Sequence, residues 1–141
     1  MHVDISIHME HTEFILYVAD QNRSRDFYQK VLQTAPTLDV PGMTEFALSA
    51  GCTLGIMPEK GIKKILMDNT PDPASGNGIP RCELYLVVKN VKEVKDHVDR
   101  ATGAGGKLVS DIQPRDWGHT AGYIMDPDGH IFAFSSPTEK N

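Results

Sequence analysis

The sequence predicts an α+β fold: two βαβββ modules whose strands curve into a concave mixed sheet. Three observations predict it. An apolar run opened by a carboxylate occurs twice, as Glu13-Phe14-Ile15-Leu16-Tyr17-Val18 and as Glu83-Leu84-Tyr85-Leu86-Val87-Val88, and each leads straight into a stretch of helical period. Each helical stretch is followed by short β-forming runs broken by turn residues. At 141 residues the chain has room for one shared core and not for two independent ones, so the repeats are half-domains.

The elements follow in order. After the first strand, Asp20 is placed to cap a helix in which Phe27 and Val31, then Tyr28 and Leu32, stand four apart, and Pro36 ends it. Thr44 to Leu48 and Thr53 to Met57 read as strands flanking a hairpin at Ser49-Ala50-Gly51-Cys52. In the second copy, Asn90 and Glu93 form a capping-box pattern, Val91, Val94, Val98 and Ala101 lie at helical spacing, and Gly103 supplies the exit. Gly122 to Met125 and His130 to Phe134 flank Asp126-Pro127-Asp128-Gly129, a tight reversal. Between the copies, Gly61, Pro71, Pro73, Gly76 and Gly78 mark a linker expected to pack over the sheet, with one apolar helical turn from Ile62, Ile65 and Leu66. Residues 1–141 are thus expected to form a single domain, with module 1 at about 11–58, the linker at about 59–80 and module 2 at about 81–137.

Composition removes several function classes. A net charge of -5, with Lys60, Lys63 and Lys64 as the one basic cluster, argues against a nucleic-acid partner. No apolar run is long enough to cross a bilayer, and Met-His-Val-Asp-Ile-Ser-Ile-His lacks the features of a signal peptide, so a cytoplasmic location is expected. Cys52 and Cys82 read as reduced thiols.

With the double βαβββ pattern in place, Phe27-Tyr28-Gln29-Lys30-Val31-Leu32 and the run from Trp117-Gly118 through Gly122-Tyr123-Ile124-Met125-Asp126-Pro127-Asp128-Gly129-His130 acquire a second meaning. From about Glu13 to Pro137 the chain resembles the vicinal oxygen chelate superfamily, which holds glyoxalase I, extradiol dioxygenases, fosfomycin-resistance enzymes and bleomycin-resistance proteins. The resemblance implies two modules facing each other across a cavity, often through a homodimer. It also implies metal-ligand positions on the first and last strands of each module, which here fall on Glu13, Gly55, Glu83 and Ala133. Gly55 and Ala133 have no donor atom, so no tightly held metal is expected, and the carboxylates alone would hold Mg²⁺ or Mn²⁺ weakly. A shift of two residues in register would instead bring in His11, and His8 would stand near it on the N-terminal arm.

Alternation along the strands puts Glu13, Ile15 and Tyr17, with Glu83, Tyr85 and Val87, on the concave face, and Phe14, Leu16 and Val18 against the helices. The expected site therefore has Glu13 and Glu83 as acid–base candidates and Tyr17, Tyr85, Trp117 and His119 as ligand-binding residues. Carboxylates with aromatic rings suit a small, cationic aromatic molecule. Two functions are open: a metal-free binding protein that sequesters such a molecule, and a lyase or isomerase of glyoxalase type in which one glutamate removes a proton beside a carbonyl, with a weakly bound divalent metal as its cofactor alternative. A structural reading is open too, in which the glutamates pair with Arg81 or Arg115 and seal a dimer.

Overall fold

The computed structural model describes residues 9–140. His8 and the N-terminal arm lie outside the described residues. The order is β1 (Thr12–Val18), α1 (Gln21–Leu32), β2 (Leu38–Val40), β3 (Met43–Ser49), β4 (Cys52–Pro58), α2 (Glu59–Leu66), a 3-10 turn at Pro73–Gly76, β5 (Glu83–Val87), α3 (Val91–Gly103), β6 (Lys107–Pro114), β7 (His119–Met125) and β8 (Ile131–Pro137). Two four-stranded sheets result, ordered β1-β4-β3-β2 and β5-β8-β7-β6, so each half is βαβββ. In both, the first strand pairs in parallel with the last and the other pairings are antiparallel.

Local chemistry sets the helix ends. The Asp20 carboxylate accepts the Arg23 amide at 3.0 Å, and Asn90 accepts the Glu93 amide at 2.9 Å, so both helices start at side-chain caps. Glu93 reaches back to the Lys89 amide, one residue before the cap. The chain leaves α3 through Gly105 at φ +110°, not through Gly103, because the left-handed position falls two residues later. Gln33 takes the same role after α1 at φ 54°.

Helices α1 and α3 lie together over the sheets, and one buried cluster draws on both halves: Val18, Tyr28 and Val31 from the first, Val94, Val98 and Phe132 from the second. Phe27 meets Phe132 edge-on, with ring centroids 6.0 Å apart. The Asp-Pro-Asp-Gly reversal does more than turn the chain. Asp128 accepts hydrogen bonds from the Ala19 amide at 2.9 Å, Arg23 Nη2 at 2.9 Å and Ser24 Oγ at 3.1 Å, all in the first half. Asp126 takes the Tyr28 hydroxyl at 2.5 Å while its other oxygen accepts the amides of Asp128 and His130. Burial and the Asp126 charge hold the Tyr28 phenol well above its ordinary range, so it stays a donor.

One expectation about the strand face fails. Val18 is fully buried and Leu16 partly so, yet Phe14 is 53% exposed. It lines a cavity together with Val31 and Leu32 of α1, His97 of α3 and Leu84 and Leu86 of β5.

Candidate functional site

Register decides what stands beside Glu13. Glu13 lies opposite Thr53 and Ile15 opposite Gly55 on β4, while Glu45 on β3 also lies opposite Gly55, so Glu13 and Glu45 share a face across a strand without a side chain at the crossing. The Glu13 carboxyl fills that space: a Cβ on Gly55 would sit 2.6 Å from Glu13 Oε1. Loss of water, then the hydrogen bond and the charge of Glu45, push the Glu13 carboxyl up to about 7. Glu13 Oε1 is buried and accepts no hydrogen bond among the described residues, which favours the protonated form of Glu13. Glu45, not Glu83, is the like charge beside it. His11 is tied to this edge, with Nε2 2.6 Å from Thr53 Oγ1.

The second half presents aromatic groups. Trp117 Nε1 donates to the Tyr85 hydroxyl at 2.8 Å, and that hydroxyl lies 2.9 Å from His119 Nδ1. The Tyr85 and His119 rings stack at 5.8 Å and 21°. Trp117 is 57% exposed yet held, because the Arg115–Gly118 turn closes on itself through the bonds of Arg115 N to His119 O and Gly118 N to Arg115 O. Arg115 locks this turn. Its guanidinium donates to Asp111 O, Ala121 O and Ser110 Oγ and lies 5.1 Å from the Tyr123 ring centroid. Burial and the neighbouring Glu83 raise the Tyr123 phenol.

β1 and β5 are each an edge strand of their own sheet and do not pair with each other. A cavity of about 370 Å³ is lined by Tyr17, Glu59, Arg81 and His130, and one of about 610 Å³ by Phe14, Leu48, Glu83, Tyr85 and His97. A smaller cavity is lined by Phe14, Ile15, Glu83, Leu84 and His130. Tyr17 and Tyr85, both expected on the concave face, line different cavities, and Glu13 and Glu83 line none of these in common. No ion pair among the described residues includes Glu13, Glu83, Arg81 or Arg115, so the expected pairing of the glutamates with arginine is not formed within the chain.

The two βαβββ sheets, each with its first strand at the edge, match known proteins. The model of the Glyoxalase/Bleomycin resistance protein/Dioxygenase superfamily matches residues 8–134. The chain belongs to this superfamily. Among solved structures, a glyoxalase-related enzyme from Fulvimarina pelagi superposes with a TM-score of 0.79 at 22% identity, over 92% of this chain and 88% of that one. A superfamily enzyme from Burkholderia phytofirmans PsJN gives 0.77 at 15% identity, over 89% and 97%. An uncharacterised Mycobacterium bovis protein is 25% identical over 129 residues, which is 89% of this chain and 82% of the relative. At these identities the solved structures establish the fold alone.

The superfamily's metal positions are poorly furnished here. Glu13 spends its carboxyl on Glu45 and the space at Gly55, Glu83 is exposed beside Tyr123, and Ala133 is buried without a donor atom. Among the described residues no three His, Cys, Asp or Glu side chains converge as a metal would need. The residues do not fit a tightly held ion. Among those residues no helix is long and apolar enough to cross a membrane.

Sequence reasoning did not single out Glu45. Its signal was present as alternation, with Glu45 facing the same way as Met43 and Ala47, but only the β3–β4 register brings it to Glu13.

Proposed function

We propose that this superfamily member binds a small, cationic aromatic molecule on the open faces of its two sheets, without a tightly held metal, as a sequestering protein. The observation that carries this reading is the Glu13–Glu45 pair set against Gly55: two neighbouring carboxyl groups attract a cation, and two without further ligands hold a dication only weakly. Trp117, Tyr85 and His119 add a rigid aromatic platform, which loses little entropy on binding. A homodimer is part of the proposal, because Ile15, Tyr17, Val87 and Trp117 leave apolar area open that a second copy would cover. Titration with benzylamine-class ligands tests it. Trp117 is the sole tryptophan, so its fluorescence should respond on binding, and Glu13→Gln should weaken the amine. A silent indole during calorimetrically proven binding would move the site elsewhere, and unchanged affinity in Glu13→Gln would remove the carboxylate from it.

A second reading rests on the Glu13 carboxyl at about 7. A carboxyl poised there serves as a general base or acid at physiological pH, which suits proton transfer beside a carbonyl in a lyase or isomerase. Exchange of the α-hydrogens of a simple ketone with solvent deuterium, lost in Glu13→Gln, tests it.

A further inference from the structure

We infer that the Trp117–Tyr85–His119 chain, resting on the binding reading above, selects ligands that carry a hydrogen-bond-accepting oxygen on the ring, at the end remote from the cation.

The inference follows from counting polar hydrogens. The indole N–H donates and never accepts, so the Tyr85 oxygen is its acceptor. Between Tyr85 and a neutral His119, either the phenol donates to Nδ1 or Nδ1–H donates to the phenol. Each of the three groups brings one polar hydrogen, and the two bonds consume one each. One donor is always unspent. It is His119 Nε2–H in the first case and Tyr85 O–H in the second; protonation of His119 adds another and removes none. The face therefore offers a donor at this end in every protonation state, strengthened by the hydrogen bonds behind it.

Charge points the same way. Arg115 spends its donors on Ser110, Asp111 and Ala121 oxygens and on the Tyr123 ring, and among the described residues it forms no ion pair with a carboxylate. Exposed Glu83 is an acidic neighbour of Tyr123. An acidic pair in the first half and surplus donors in the second describe a bifunctional molecule: a cation at one end, a carbonyl or similar oxygen at the other, and a flat ring between.

Three probes test this by isothermal titration calorimetry: 4-acetylbenzylamine, which has both groups, 4-ethylbenzylamine, which lacks the oxygen, and 4-ethylacetophenone, which lacks the cation. The acetyl amine is expected to bind about fivefold more tightly than the ethyl amine, the usual worth of one hydrogen bond. Tyr85→Phe combined with His119→Phe should erase that ratio while keeping the rings, and His119→Gln, which retains an N–H, should preserve part of it. Glu13→Gln should weaken both amines and leave their ratio alone. Equal affinity of the two amines for the wild type, a ratio that survives the double variant, or no binding of any probe would overturn the inference. Failure of the cation reading looks different: both amines would bind no better than the ketone, whose binding would still require Tyr85 and His119.

Discussion

Replacing Glu13 by Gln should make the protein more stable at pH 8 and leave it nearly unchanged at pH 5. The Glu13 carboxyl lies at about 7 in the folded protein against 4.5 in a free chain. Between those values the folded state holds a proton that the unfolded state has released, so stability falls as pH rises through this window and is fully present below about 4.5. At about 1.4 kcal/mol per pH unit the displacement corresponds to roughly 3 kcal/mol. The pair opens to water on one side, and solvent screening reduces this to about 1–2 kcal/mol. Gln keeps the shape of the protonated acid and its amide donates to Glu45 at every pH. Urea unfolding at pH 5, 6, 7 and 8, at one protein concentration, measures the effect. The wild type should lose about 1–2 kcal/mol across the series, about 3–6 °C in Tm for a chain of this size, and the variant should lose little. Glu45→Gln should behave likewise, since either amide breaks the like-charge contact. Parallel decline of wild type and both variants would refute the raised Glu13 carboxyl and its contact with Glu45.

Other expectations concern packing, the hairpin, the indole and metal. Gly55→Ala places a methyl 2.6 Å from Glu13 Oε1 and 3.0 Å from Ile15 Cγ1, and should cost about 1–2 kcal/mol by urea unfolding; the same change in a Glu13→Ala background should cost measurably less. Asp128→Ala strips the Ala19 amide, Arg23 and Ser24 of their acceptor, and a loss of about 3 kcal/mol is expected in the same assay. Tyr85→Phe removes the acceptor of the Trp117 N–H, so emission should shift in the unliganded protein, and an unshifted spectrum would show that the bond does not persist in solution. Thermal scans with Ni²⁺, Zn²⁺, Mn²⁺ or Fe²⁺ should move Tm by no more than about 1 °C, because weak binding contributes little by mass action. A large, stoichiometric shift would show that the strand residues reach an ion after all.

Local chemistry was readable from the chain, and partnership across strands was not. Asp20 and Asn90 cap helices where their spacing predicts, and Pro127 and Gly129 make the reversal, because each of these acts within a few residues. Glu13, Tyr85, Trp117 and His119 were legible as polar or aromatic candidates. Their partners depend on register: Glu45 reaches Glu13 across β4, and the Tyr85–His119 bond spans strands on either side of β8. Phe14 was misplaced for a related reason, since alternation assigns a side chain to a face without saying whether the space there is filled, and here it opens onto a cavity. The separate cavities of Tyr17 and Tyr85 depend on how the two halves pack together, which no single strand encodes.

The hairpin staple has a consequence for how the molecule can be cut. Asp126 and Asp128 belong by sequence to the second half, but their carboxylates serve the first turn of α1 and the Tyr28 hydroxyl. Together with the Phe27–Phe132 contact they hold the halves without help from the peptide that joins them. A nick in the exposed stretch between α2 and the 3-10 turn should therefore yield two fragments that stay associated through gel filtration, whereas either fragment expressed alone would carry unsatisfied partners for the other. The protein is in this respect a natural split pair, in which the chain's own acidic reversal acts as the reassembly tag.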